Sequence, residues 1–204
     1  QYELLMNHFN EWRSTDRFKL VSYRDKSSIY QFAKIVDTTP VVYESFVGKK
    51  AATGVWVDIF PLEHFTQQAA GLLKQHKRVG LLRSFAVTDP STGTNGFVKL
   101  VKRIVCPFVK NQDPYELARR LDDIAISVNE SSISSDCVID VLGEGRPDKT
   151  YPKNLFLPIR MKFENREYYA PSGYEEFLAI EYGDWRTPPA DSARLVHVME
   201  AYRL

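Results

Sequence analysis

The stretch Gly54-Val55-Trp56-Val57-Asp58-Ile59-Phe60 is apolar after its glycine at every position but one, and Pro61 closes it. A short run rich in β-branched and aromatic residues predicts a strand, and near-continuous apolarity predicts a central strand covered on both faces. Asp58 is the anomaly. An ionised carboxyl set among Val, Trp, Ile and Phe must be paired, bonded to backbone amides, or bound to a metal. The pattern alone leaves these open.

Upstream of that run, Leu4, Leu5, Phe9 and Trp12 recur at helical spacing, and Ser14-Thr15-Asp16 breaks the pattern. Three further strands are predicted, over Phe18–Tyr23, Ile29–Asp37 and Val41–Val47. Pro40 opens the third, where a missing N–H does least harm. Downstream, helices are predicted over Ala69–Ala86 and Phe97–Lys110. Another begins at Asp113-Pro114-Tyr115-Glu116, with Asp as N-cap, Pro at the first helical position and Glu reaching back. Asp89 to Gly96 reads as a loop, and Cys137 to Leu142 as a short strand ended by Gly143. A hairpin turning at Glu164-Asn165 follows. Pro171-Ser172-Gly173-Tyr174-Glu175 then caps a helix stopped by Gly183, and a last helix is predicted from about Asp191. The expected fold class is α+β.

Charge and composition narrow the function classes. The 204 residues carry 27 Lys and Arg against 26 Asp and Glu, so no whole face is basic enough to neutralise a nucleic-acid backbone. At 44% hydrophobic the chain should fold around a real core, and nothing in it repeats. Cys106 and Cys137 stand alone, without zinc-ligand spacing, so a reducing, cytoplasmic setting is the expectation. No apolar run approaches the ~20 residues of a spanning helix, and no signal peptide is expected. The helical pattern already runs at Gln1, which implies that these residues belong to a longer polypeptide.

Few residues offer chemistry. Asp37 ends its own predicted strand, and if that strand pairs with the Asp58 strand, the two carboxylates and Lys34 line one cleft. Asp122-Asp123 lies within an amphipathic helix and reads as a solvated face. His8, His64, His76 and His197 are scattered, with no metal spacing and no nucleophile elbow. Glycine-rich phosphate loops are absent from the sequence as well.

Taken together, Phe32-Ala33-Lys34-Ile35-Val36-Asp37-Thr38 and Gly54 to Leu62 resemble the middle of the LicD family of phosphocholine transferases, relatives of the fukutin group. Tyr169-Ala170-Pro171-Ser172-Gly173-Tyr174-Glu175-Glu176-Phe177-Leu178, Tyr182-Gly183-Asp184-Trp185 and Thr187-Pro188-Pro189 resemble that family's C-terminal signature. The blocks stand in the family's order. The resemblance implies a nucleotidyltransferase-like mixed sheet flanked by helices, with a helical insertion and a C-terminal hairpin plus helices. Residues 1–65 would be the remainder of the core and 66–204 the helical and C-terminal part.

It also implies an activity: transfer of phosphocholine from CDP-choline to a sugar hydroxyl of a teichoic acid or lipopolysaccharide glycan, with Mg²⁺ or Mn²⁺. Asp58 matches the third metal-holding acid of such folds. The first two belong to an upstream Trp-Asp-Asp-Asp-Ile-Asp block that would precede Gln1, so residues 1–204 are expected to be inactive by themselves. Asp37 and Lys34 are the companion catalytic candidates, Lys34 as a point charge for a phosphate oxygen or as a lysine snorkelling from its strand. In that reading a metal held by these acids would supply charge neutralisation for the leaving CMP, and a carboxylate would help take the hydroxyl proton.

A quaternary ammonium asks for aromatic faces, and Trp56, Tyr30 and Trp185 lie in or beside the matched blocks. The acid-free stretch 97–110 could dock on the inner face of a membrane carrying a lipid-linked acceptor, or pack Val101, Ile104 and Phe108 on the core. Two alternatives stay open: a nucleotidylyltransferase, and a non-catalytic binding module of the same fold.

Overall fold

In a computed structural model of the chain, residues 1–44, 53–91, 96–194 and 199–203 are described. Helix α1, Tyr2–Trp12, is followed by β1, Phe18–Val21, β2, Ala33–Glu44, and β3, Thr53–Ile59. These strands make an antiparallel sheet in the order β1-β2-β3. The strand β9, Met199–Arg203, pairs with Pro40 to Glu44 of β2, beyond the part that β1 covers. The predicted strands on either side of Pro40 are thus one. The β2–β3 register slips between Asp37 and Val42, and that irregularity absorbs the proline. Ser45 to Val47 of the predicted third strand lie outside the described residues.

Two expectations fail here. No helix forms from Asp191; a single 3₁₀ turn, Asp191–Ala193, precedes β9, because the open edge of β2 offers this segment backbone partners that an isolated helix would lack. Nor is β3 central. Among the described residues it pairs with β2 alone, and Val55 and Val57 are 53% and 64% exposed. Gly54 is forced by closeness: a Cβ there would sit 1.7 Å from the carbonyl oxygen of Asp37.

The second half is built on helices. The two-residue strand β4, Glu63–His64, leads through a 3₁₀ turn into α2, Ala70–Val87, and then α3, Gly96–Val109, and α4, Pro114–Ser131. Phe65, Leu73, Ala125, Val128, Ile139, Val141 and Leu142 form one core, and Val79, Leu117, Leu121 and Ile124 continue it between α2 and α4. Each fully buried Leu contributes about 2 kcal/mol by transfer from water. Asp113 caps α4 as predicted, accepting from the Tyr115 N–H at 2.9 Å, whereas Glu116 turns outward to Arg119. Asp122 departs from the solvated-face expectation. It is buried, accepting from the Tyr23 hydroxyl and from Arg24, and so ties the N-terminal segment to α4.

The strands β5, Cys137–Ile139, and β6, Tyr151–Pro152, complete a small sheet in the order β4-β5-β6. A hairpin of β7, Pro158–Phe163, and β8, Arg166–Pro171, turns at Glu164 with φ 53°, as the sequence predicts. Last comes α5, Tyr174–Tyr182, ended by Gly183 at φ 68°. Ser172 does not cap α5; its hydroxyl donates to the Asn154 carbonyl. The fold is α+β, with antiparallel strand pairs throughout the described residues. No helix among them is long and apolar enough to cross a membrane. Cys106 and Cys137 are free thiols.

Candidate functional site

The β2–β3 register decides which residues meet. Lys34 stands opposite Asp58 and Val36 opposite Trp56, while Asp37 stands opposite Val55. Side chains alternate faces along a strand, so Lys34, Trp56 and Asp58 share one face and Asp37 lies on the other. The expectation that both carboxylates and Lys34 line one cleft is therefore corrected: the strands pair, and the odd spacing separates the acids. Asp37 is engaged on its own face by the Arg17 guanidinium and by the Thr39 N–H at 3.0 Å. These bonds, Arg17 foremost, hold its carboxyl well below the usual range.

On the shared face Lys34 is buried, 4% exposed. Its ammonium lies 3.8 Å from the Tyr30 ring centre, 4.3 Å from Trp56 and 5.7 Å from Phe32, and 3.5 Å from Asp58 Oδ1. Tyr30 and Trp56, the rings expected to receive a ligand cation, do gather around a cation, and it is the protein's own. Trp185 is not brought to them. Its ring stacks with Arg186, whose guanidinium carbon is 4.3 Å away. The Asp58 side chain is about one-third exposed at the sheet margin, so the oily enclosure expected for it is absent.

This arrangement bears on the divalent ion that the resemblance implies. Mg²⁺ takes near-octahedral oxygen donors, usually including one or two carboxylates. At Asp58 the described residues supply one carboxylate whose oxygen already faces an ammonium. Nowhere among them do three His, Cys, Asp or Glu side chains converge as metal ligands. By itself this set of described donors does not complete a divalent-ion site.

A cleft of about 770 Å³ opens on the other side of Phe60. Phe60 packs on Phe32 at 4.5 Å between ring centres, and Phe32 in turn lies 5.7 Å from the Lys34 ammonium, so the lysine box and the cleft are neighbours. Leu62 joins Phe60 on that wall; Phe177, Glu181 and Tyr182 of α5 form another; the segment after β5 brings Asp140, Gly143, Glu144, Arg146 and Lys149. Tyr151, Phe156 and Phe177 pack as an aromatic trio beneath, ring centres 5.1 to 6.0 Å apart.

Charges in the cleft are arranged closely. Lys149 bridges Glu181 at 2.7 Å and Glu144 at 3.0 Å. Asp140 accepts from the Gly143 N–H at 2.6 Å, and a Cβ on Gly143 would stand 2.1 Å from its other oxygen. Burial, then the charges of Glu144 and Glu181, pushes the Asp140 carboxyl up to about 6. Beside it Glu63 is buried and accepts from the Val141 N–H at 3.2 Å. Burial pushes it up to about 8, with the Asp140 charge adding to the rise. His76, also buried, is pushed down to about 4 by burial. His197 lies outside the described residues.

Sequence reasoning passes over Asp140, Glu144, Lys149 and Glu181. The signal for Asp140 is present all the same. Val138-Ile139-Asp140-Val141-Leu142-Gly143 sets one carboxylate in an apolar run, the pattern that singles out Asp58. Glu144 and Glu181 carry no comparable mark. Chemically the cleft offers aromatic faces with carboxylates for a cation, and an acid titrating near neutrality for a hydroxyl proton. No family model matches this chain, and neither a curated protein nor a solved structure matches it.

Proposed function

We propose that these residues belong to a LicD-type transferase with a nucleotidyltransferase-like core, moving phosphocholine from CDP-choline to a sugar hydroxyl of a teichoic acid or lipopolysaccharide glycan. One observation carries the reading. Phe60 and Leu62 of the middle block and Phe177 and Tyr182 of the C-terminal block, more than a hundred residues apart, line the same cleft as Asp140. Blocks that resemble one family in order along the chain are thereby joined in space around groups able to do chemistry.

In this reading the exposed Tyr182 ring and the Phe60 face hold the quaternary ammonium of choline, with Glu144 and Glu181 as counter-charge. Lys149, clamped between those two carboxylates, fixes their positions. Asp140 takes the proton as the sugar oxygen attacks the choline-bearing phosphorus, and the bond to the bridging oxygen breaks to release CMP. An acid at about 6 suits that task, since it is ionised at neutral pH and still basic enough to accept. Lys34 and Asp58 are outside the cleft lining and take no part in this step.

The test is product analysis with the polypeptide that carries these residues, supplied with CDP-choline, Mg²⁺ and a glycan acceptor. CMP release that falls about 10²-fold or more in Asp140→Asn, with KM little changed, supports the proposal. Pyrophosphate released from a nucleoside triphosphate assigns a nucleotidylyltransferase instead. Choline binding without either product assigns a binding module.

A further inference from the structure

Residues His64 to Gln112, which carry α2 and α3, hold eight of the chain's 27 Lys and Arg but one, Asp89, of its 26 Asp and Glu. The near-neutral total thus conceals a basic helical pair on an otherwise acidic chain. Within it α3 has no acid at all, and Lys110 follows its last turn.

The alternative in which Val101, Ile104 and Phe108 pack on the core is corrected for Ile104 and Phe108, which are exposed, while Val101 is half-buried. Of this helix Cys106 alone is buried. Phe97, Leu100, Ile104 and Phe108 are 73%, 54%, 58% and 83% exposed. At about 100° per residue these four fall within about 80° of one another. Lys99, Arg103 and Lys110 fall within about 40°, in the adjoining sector. The opposite side of α3, where Cys106 lies, meets α2, and Lys102 donates to the Thr88 hydroxyl at 2.8 Å. Single exposed apolar residues are ordinary on a protein surface; four large ones in a row along one helix mark a surface that meets something.

The charges choose among occupants. A second copy docked two-fold through this row would set Lys99, Arg103 and Lys110 near the same residues of its twin, a like-charge contact. An anionic bilayer satisfies both sectors at once, taking the apolar row at the level of the acyl chains and the cations at the lipid phosphates. We propose that α3 lies in the surface of an anionic membrane through Phe97, Leu100, Ile104 and Phe108, with Lys99, Arg103 and Lys110 against lipid phosphate. The inference goes beyond the transferase reading and stands apart from it, since α3 contributes nothing to the cleft.

Co-sedimentation of the chain with vesicles tests it. Vesicles of phosphatidylglycerol and phosphatidylcholine should carry the chain down at low salt, and pure phosphatidylcholine vesicles should leave it in solution. Lys99→Gln with Arg103→Gln should weaken binding about 25-fold, at about fivefold per cation. Phe108→Glu and Ile104→Glu, at exposed positions, should each weaken it tenfold or more with the melting temperature unchanged. Phe108→Trp supplies a second measurement, its emission shifting to the blue on phosphatidylglycerol vesicles alone. The proposal is overturned if phosphatidylglycerol vesicles fail to bind the chain, or if Phe108→Glu and Ile104→Glu bind like the parent. It is equally overturned if the row instead drives a dimer that Phe108→Glu dissolves while vesicles stay bare.

Discussion

Replacing Glu63 by Gln should abolish a loss of stability that the parent chain shows between pH 6.5 and pH 8. Glu63 is 6% exposed, and its carboxyl, near 4.5 when unfolded, is pushed up to about 8 in the fold. The folded state therefore binds more protons than the unfolded state between those values, and stability falls as pH rises through the window. Two neighbours confuse its lower part. His76, pushed down to about 4, makes stability rise with pH from 4 to 6.5, and Asp140, raised to about 6, makes it fall from about 3.8 to 6. Above pH 6.5 their remaining tails, a rise of about 0.4 kcal/mol from His76 and a fall of about 0.2 kcal/mol from Asp140, largely cancel, and Glu63 dominates the change. Taking 1.36 kcal/mol per unit of pKa, its contribution worsens by about 1.5 kcal/mol from pH 6.5 to pH 8. Gln keeps the oxygen that accepts from the Val141 N–H and removes the titration. Urea unfolding at the two pH values reads both proteins. An equal fall in the parent and in Glu63→Gln, or no fall in the parent, would refute the burial argument.

The lysine box makes a contrast between volumes. Lys34→Met should cost less than about 1.5 kcal/mol because it refills the space among Tyr30, Phe32 and Trp56, whereas Lys34→Ala should cost about 2 to 4 kcal/mol by leaving a cavity, both read by urea unfolding followed through Trp fluorescence. Gly54→Ala should lower the melting temperature sharply, since its Cβ meets the Asp37 carbonyl and must force β3 away from β2; a melting temperature unchanged in calorimetry would contradict the register. Asp37 acts in the opposite sense to Glu63. Its carboxyl is depressed by Arg17, so its contribution is present above the ordinary carboxylate range and lost as pH falls below it, and Asp37→Asn should flatten the acid limb of the stability curve. Leu121→Ala, at a position 1% exposed between α2 and α4, should cost about 2 to 5 kcal/mol in the same urea assay.

Much of the secondary structure is legible without coordinates. The helical spacing of Leu4, Leu5, Phe9 and Trp12 becomes α1, the Asp113-Pro114 start becomes the cap of α4, and Glu164-Asn165 turns the hairpin. These features are local: a cap or a turn is set by residues within about four positions of one another. The site is less legible. Asp58 and Asp140 each sit as one carboxylate in an apolar run, and one of them ends at the margin of a sheet while the other lines a cleft.

From the chain alone follow the α+β class, the helices other than the one expected from Asp191, the hairpin, the oddity of Asp58, and the acid-free character of residues 97–110, because each depends on spacing between near neighbours. Tertiary structure alone settles that Asp58 faces the Lys34 ammonium, that Asp37 is on the far side of the sheet, that β9 is a strand, and that the apolar row of α3 looks outward. The reason is geometric. A strand shows its two faces alternately, so which groups meet depends on the register of a partner far away in the chain, and a shift of one residue exchanges every contact.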